Sequence, residues 1–98
     1  MNTENFIPIT TLCTHYHVEM SFFDSLNEVG LIEIESIEES HFIHAERISE
    51  VEKIIRLRND LHLNLEGIDV VMNLLQKMDR LQNELASTRN RLRLYENI

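Results

Sequence analysis

The sequence predicts a mainly α-helical fold, with short helices and a small β-hairpin ahead of a long C-terminal coiled-coil helix. Three observations carry this reading. Two Gly, one Pro and no Trp in 98 residues argue against an all-β barrel and for helices with few sharp turns. Apolar residues between Leu12 and Leu61 recur mostly at helical spacing, broken by one alternating stretch, Leu31-Ile32-Glu33-Ile34-Glu35. From Val71 onward the apolar positions narrow to a heptad seam. The boundary falls between a head, residues 1–70, and a coiled-coil helix, residues 71–98.

Each element follows in turn. Phe6 to Ile9 is a short apolar run, and the Thr10 hydroxyl is placed to cap a helix from about Thr11 to Tyr16 that buries Leu12 and Cys13. His17-Val18-Glu19 reads as a turn. A second helix runs from about Met20 to Val29, with Phe22, Phe23 and Leu26 facing inward, and Gly30 ends it. Two short helices joined this way form a helix-turn-helix. The alternating Leu31–Glu35 stretch and a second β-like stretch around Phe42-Ile43 make a two-stranded wing. A third helix spans roughly Ala45 to Leu61, with Ile48, Val51, Ile54, Ile55 and Leu61 as its buried stripe. Arg47, Lys53, Arg56 and Arg58 fall on its solvated side. Asn64 caps the fourth helix, whose first turn carries Gly67; a glycine there costs helix stability and so predicts a close approach.

The last helix has the clearest period. Val71, Leu74, Met78, Leu81, Leu85, Thr88, Leu92 and Tyr95 alternate steps of three and four, an a/d seam whose weak point is Thr88. A seam this narrow suits one partner helix. The expected partner is the same helix of a second molecule; the alternative is the chain's own head. Met72 and Met78 fall on or beside the seam and read as packing.

Composition limits the function. A 43% hydrophobic, 27% charged chain is globular. A lone cysteine, Cys13, permits no intramolecular disulfide and fits a reducing compartment. MNTENFIPIT lacks the basic and long apolar regions of a secretory signal, and no apolar stretch is long enough for a bilayer. The expectation is a cytoplasmic protein without membrane partners. A core this small favours association with a partner or a second copy.

Charge is distributed unevenly. Residues 1–46 carry nine acids (Glu4, Glu19, Asp24, Glu28, Glu33, Glu35, Glu38, Glu39, Glu46) and no Lys or Arg, a charge of −9; the rest of the chain is at +1, for a total of −8. Affinity for DNA rests largely on Lys and Arg meeting phosphates, so a helix-turn-helix and wing with this charge is repelled by it and suits a basic protein surface.

The residues resemble a known superfamily. Pro8-Ile9-Thr10-Thr11-Leu12-Cys13, His17-Val18 and Val29-Gly30-Leu31-Ile32 are similar to the first half of a MerR-type winged helix-turn-helix. Ile54-Ile55-Arg56-Leu57-Arg58 and Leu63-Asn64-Leu65-Glu66-Gly67-Ile68 resemble its third and fourth helices, and the heptads resemble its dimerising coiled coil. Within it, Arg56 to Leu61, Leu63 to Val71, and Leu81-Gln82-Asn83-Glu84-Leu85 leading to Arg91-Leu92 look like the chaperone-modulator branch, CbpM. That resemblance implies a bacterial regulator that binds the J-domain of a DnaJ-type co-chaperone (CbpA) and blocks its stimulation of a DnaK-type ATPase. Aligned on Gly30-Leu31, the arginine typical of the DNA-binding relatives falls on Asp24, and the aromatic that follows it falls on Ser25. The usual basic wing positions fall among Glu33, Glu35, Glu38 and Glu39. Residues 1–46 have no cation to replace them.

The candidate partner-binding set is therefore Asp24, Glu28, Glu33, Glu35, Glu38 and Glu39, with His41 or Phe42 as anchors. Each carboxylate taken alone is equally a solubilising surface group. The candidate dimerisation residues are Leu74, Met78, Leu81, Leu85, Leu92 and Tyr95. The alternative function is a MerR-type DNA-binding transcriptional regulator, and a third is an adaptor whose coiled coil pairs with an unrelated helix. Cys13, His15 and His17 are too few good ligands for a soft-metal site, and no cofactor is expected. His41, His44 and His62 lack spaced partners, and His44 stands where a helix cap is expected. Two glycines form neither a phosphate-binding loop nor a nucleophile elbow, so no enzyme is expected. The basic end of the last helix, Arg89, Arg91 and Arg93, is small and distant from the wing.

Overall fold

The computed structural model describes residues 5–97, so Glu4 and the start of the N-terminal segment, together with Ile98, lie outside the described residues. The chain divides into two compact units, Met1–Ile68 and Asp69–Ile98.

The first unit opens with strand β1 (Phe6–Pro8), followed by α1 (Ile9–Tyr16) and α2 (Met20–Glu28). Then come β2 (Glu35–Ile37), β3 (Ser40–His44), a 3₁₀ turn (Ala45–Arg47) and α3 (Ile48–Leu61). Its core gathers Ile9, Leu12, Val18, Phe23, Leu26, Ile32, Ile43, Val51, Ile54, Ile55 and Ile68.

The expected helix-turn-helix forms, with altered limits. Pro8, in an extended conformation, precedes the first residue of α1, so the helix starts at Ile9 and Thr10 does not cap it. Ile9 is fully buried, and seating it in the core begins the helix earlier than the hydroxyl pattern suggested. Leu12 is buried as expected, but Cys13 is only half-buried. His17 closes α1 in the left-handed region, φ 55°, while the Val18 amide returns to the Cys13 carbonyl at 3.1 Å. At the end of α2, Gly30 takes φ 80° and the Leu31 amide reaches back to the Leu26 carbonyl at 2.9 Å, a glycine-terminated helix end.

The sheet is antiparallel and three-stranded, in the order β1-β3-β2. The N-terminal apolar run supplies the extra strand: Phe6 pairs with His44, Ile7 with Ile43 and Pro8 with Phe42. The wing's first strand is shifted from the expected Leu31–Glu35 to Glu35–Ile37, with Glu35 opposite Phe42. Two contacts explain the shift. Ile32 is drawn into the core, and the Ile34 amide donates to Asn27 Oδ1 at 3.1 Å, so this stretch is tied to α2 and not to a strand.

In α3, Val51, Ile54 and Ile55 form the buried stripe, Ile48 is half-buried, and Leu61 is 63% exposed. Leu61 lies on the stripe by spacing, but the helix ends there, at His62 with φ 54°, beyond the cover of the core. Arg58 departs from the expected solvated side and is half-buried. The expected cap at Asn64 forms: its Oδ1 accepts the Gly67 amide at 2.8 Å. A Cβ at Gly67 would lie 3.2 Å from that same Oδ1, a tight approach that would require the capping side chain to shift by a few tenths of an ångström. His44 caps as expected, Nδ1 accepting the Glu46 amide at 3.2 Å.

Helix α4 (Leu65–Glu96) is 32 residues long, about 48 Å at the usual rise. Met72 is buried, whereas Leu74, Met78, Leu81, Leu85, Leu92 and Tyr95 are each more than half exposed. The Thr88 hydroxyl donates to the Glu84 carbonyl of its own helix at 2.9 Å. No helix among the described residues is long and apolar enough to cross a membrane.

Candidate functional site

Helix α2 and the β2–β3 hairpin carry the candidate site. Asp24 and Glu28 are four residues apart on α2, hence on one face, and both are exposed. Glu33 is exposed on the segment leading to the hairpin, and Glu35 is exposed on β2. Glu38 and Glu39 are the two turn residues between Ile37 and Ser40, both exposed and both left-handed, with φ 49° and 67°. Positive φ at both central residues is the twist-matched two-residue hairpin turn, usually built from Asn or Gly. Here it is built from two carboxylates, which are thereby presented at the wing tip. Among the described residues none of these six acids takes part in an ion pair.

The two anchors differ. His41 is exposed, its Nδ1 3.1 Å from the Ser36 hydroxyl across the ladder. Phe42 is half-buried, on the same face of the ladder as Glu35 opposite it.

Two side-chain contacts had no sequence signal. The Arg58 guanidinium lies over the Phe22 ring, 4.7 Å from its centroid, so α3 delivers a cation to α2 where none was expected. Phe22 is correspondingly half-buried, while Phe23 and Leu26 are wholly buried. The Tyr16 hydroxyl donates to Glu52 Oε1 at 2.9 Å, joining α1 to α3 across 36 residues. Burial pushes the Tyr16 phenol above its usual range, and the bond to Glu52 and that carboxylate's charge add to the rise; Arg56 opposes them.

The Cys13 thiol is likewise raised, by burial first and then by the negative charge of Asp24. A raised thiol is a poor nucleophile and a poor metal ligand at neutral pH. His15 stacks edge-on against Tyr16 at 4.7 Å and His17 is the left-handed cap, each in a structural role. No group of three or more His, Cys, Asp or Glu among the described residues is placed to hold a metal ion.

A helix-turn-helix, a three-stranded winged sheet and a long C-terminal helix together define a winged helix-turn-helix regulator. Residues 7–90 match the family described as MerR HTH family regulatory protein. The chain belongs to that family, and membership makes its role regulatory and not enzymatic. No individual curated protein matches it.

Proposed function

We propose that this chain is a non-catalytic regulator whose acidic head binds the J-domain of a DnaJ/CbpA-type co-chaperone and masks the face that engages a DnaK-type chaperone. The observation that carries this is the charge of the reading elements. Asp24, Glu28, Glu33, Glu35, Glu38 and Glu39 are exposed on α2, the hairpin and the segment between them, and these elements have no Lys or Arg of their own. Phosphate is repelled by such a surface, while a basic helix is attracted to it. The J-domain as the basic partner comes from the resemblance to the CbpM branch. Residues 1–70 act as the binding head and residues 71–98 as the pairing helix. His41 and Phe42 anchor the partner, and the exposed Leu74, Met78, Leu81, Leu85, Leu92 and Tyr95 pair with a second copy in the cytoplasm.

The second reading is a MerR-type DNA-binding regulator, and the family match taken alone favours it. Arg58 above Phe22 gives α2 one borrowed cation for that purpose. One cation against six exposed acids leaves the net field repulsive to DNA, which sets the order of the two readings.

Calorimetric titration with the J-domain of a DnaJ-type protein from the same genome, at low and moderate salt, tests the proposal. Saturable binding that weakens with salt is the expected result. No binding to any J-domain encoded there, together with salt-sensitive binding to a DNA fragment from the same genome, would establish the DNA reading.

A further inference from the structure

We infer that the outer face of the three-stranded sheet is the apolar centre of the head's partner contact, and that it takes a basic amphipathic helix of the J-domain lying across the strands. This site rests on the reading of the head as J-domain-binding and gives that contact a place on the head.

Register separates the two faces of the sheet. Ile43 is fully buried and faces the core, so its neighbours on β3, Phe42 and His44, face outward. Paired residues share a face, which adds Phe6 and Pro8 from β1 and Glu35 from β2; Ile37 and Ser40, one step of two along their strands, join them. An antiparallel sheet with one face on the core ordinarily turns polar side chains outward. Here the outward positions are apolar or aromatic (Phe6, Pro8, Ile37, Phe42 and His44), leaving Glu35 and Ser40 as the polar ones. The Phe6 and His44 rings pack edge-on with centroids 5.2 Å apart, Phe42 and Ile37 are half-buried, and Pro8 is exposed. A contiguous apolar patch with a polar border is the mark of a contact surface.

The border is acidic. Glu35 lies on the face itself, Glu38 and Glu39 form the turn at one end, and the Glu46 carboxylate stands 4.0 Å from His44 Nδ1 at the other. The Glu46 side chain is 86% exposed, and its place beside the patch adds it to the acids expected from the sequence. Arg47, the first cation along the chain, is tied to Glu50 at 3.2 Å. An apolar centre inside an acidic border complements a helix whose apolar stripe is flanked by Lys and Arg. Addition of a partner strand along the free edge of β1 is opposed by Pro8, which has no N–H to donate. Ser36 and His41 lie on the opposite face, so of the two anchors this surface holds Phe42 alone.

Two substitutions of equal charge on opposite faces test it, by calorimetric titration of the full chain with the J-domain of a DnaJ-type protein from the same genome. Ser40→Lys and Ser36→Lys each add one cation at an exposed serine of the hairpin, so the difference between them reads the face and not the net charge. Ser40→Lys should weaken binding about tenfold, and Ser36→Lys by no more than about twofold. Glu46→Gln should weaken it about threefold at low salt and less as salt rises. Circular dichroism melts establish that each variant is folded. Amide NMR of the labelled parent chain should show Phe6, Ile37, Phe42 and His44 among the signals most shifted by the J-domain. An equal or larger loss from Ser36→Lys, or shifts confined to α2, would overturn the inference while leaving J-domain binding in place. No binding by the parent chain would remove the J-domain reading and this occupant with it. Movement of the same amides as the chain alone is concentrated would assign the face to a second copy and overturn the inference as well.

Discussion

The guanidinium carbon of Arg58, at the C-terminal end of α3, stands 4.7 Å from the centroid of the Phe22 ring on α2. An aromatic side chain that the pattern of α2 places toward the core is instead half-covered by a cation from another helix. The contact also brings a positive charge from the third helix to an acidic surface that has no cation of its own.

Replacing either partner measures that contact. Arg58→Ala and Phe22→Ala are each expected to destabilise the fold, with a coupling between them of ~0.5–1 kcal/mol, the range for a cation over an aromatic ring near the surface. Urea unfolding of the two single variants and the double variant gives the coupling. A coupling near zero would mean that the two side chains only share space.

Tyr16 predicts an alkaline limit to stability. Its folded-state phenol is raised above the unfolded value, by burial and then by Glu52, so the folded chain holds the proton more tightly. The contribution is fully present below the unfolded value of about 10 and is lost as pH rises through the higher folded value. Tyr16→Phe cannot titrate. The stability difference between the parent and this variant should therefore shrink or reverse between pH 8 and pH 11, as read from urea midpoints. A constant difference would remove the linkage.

The wing tip predicts a stabilising substitution. Glu38 and Glu39 both hold φ values that cost a side-chain-bearing residue roughly 1–2 kcal/mol. Glu38→Asn with Glu39→Gly, the residues this turn prefers, should raise the unfolding free energy by about 1 kcal/mol. If the carboxylates at the tip also hold the partner, the same variant should bind the J-domain more weakly while melting at a higher temperature. That opposite movement of stability and affinity is a signature that neither property alone supplies.

Charge reversal on the wing separates the two proposed functions. Glu33→Lys with Glu35→Lys should weaken J-domain binding by roughly tenfold at low salt, since exposed pairs contribute up to ~1 kcal/mol each, with the loss shrinking as salt rises. Binding to DNA should be unchanged or strengthened by the same reversal. Isothermal titration with each partner gives both numbers.

Much of this was readable from local spacing. Gly30 and Asn64 each declare a helix end through one backbone preference or one side-chain oxygen, and both act there. The heptad of α4 is legible for the same reason, since a helix face needs only residues within one helix. The strand at Phe6–Pro8 was not legible, because three residues carry no period and become a strand only by meeting Phe42 to His44. The wing's register was missed because alternation in Leu31–Glu35 cannot reveal that Asn27 holds Ile34 and the core takes Ile32. Leu61 shows the converse failure: a residue on an apolar stripe is buried only if something lies above it.

By itself the sequence determined the helix-turn-helix, the long seam and the acidic character of the head, because backbone preference, periodicity and charge are properties of neighbours along the chain. Tertiary structure alone decided the third strand, the left-handed pair of glutamates at the wing tip, the Tyr16–Glu52 bond and the place of Arg58 on Phe22. The strand, the Tyr16–Glu52 bond and the place of Arg58 on Phe22 each depend on groups distant in sequence meeting in part-buried space, and the left-handed turn follows from the strand register that sets Ile37 opposite Ser40.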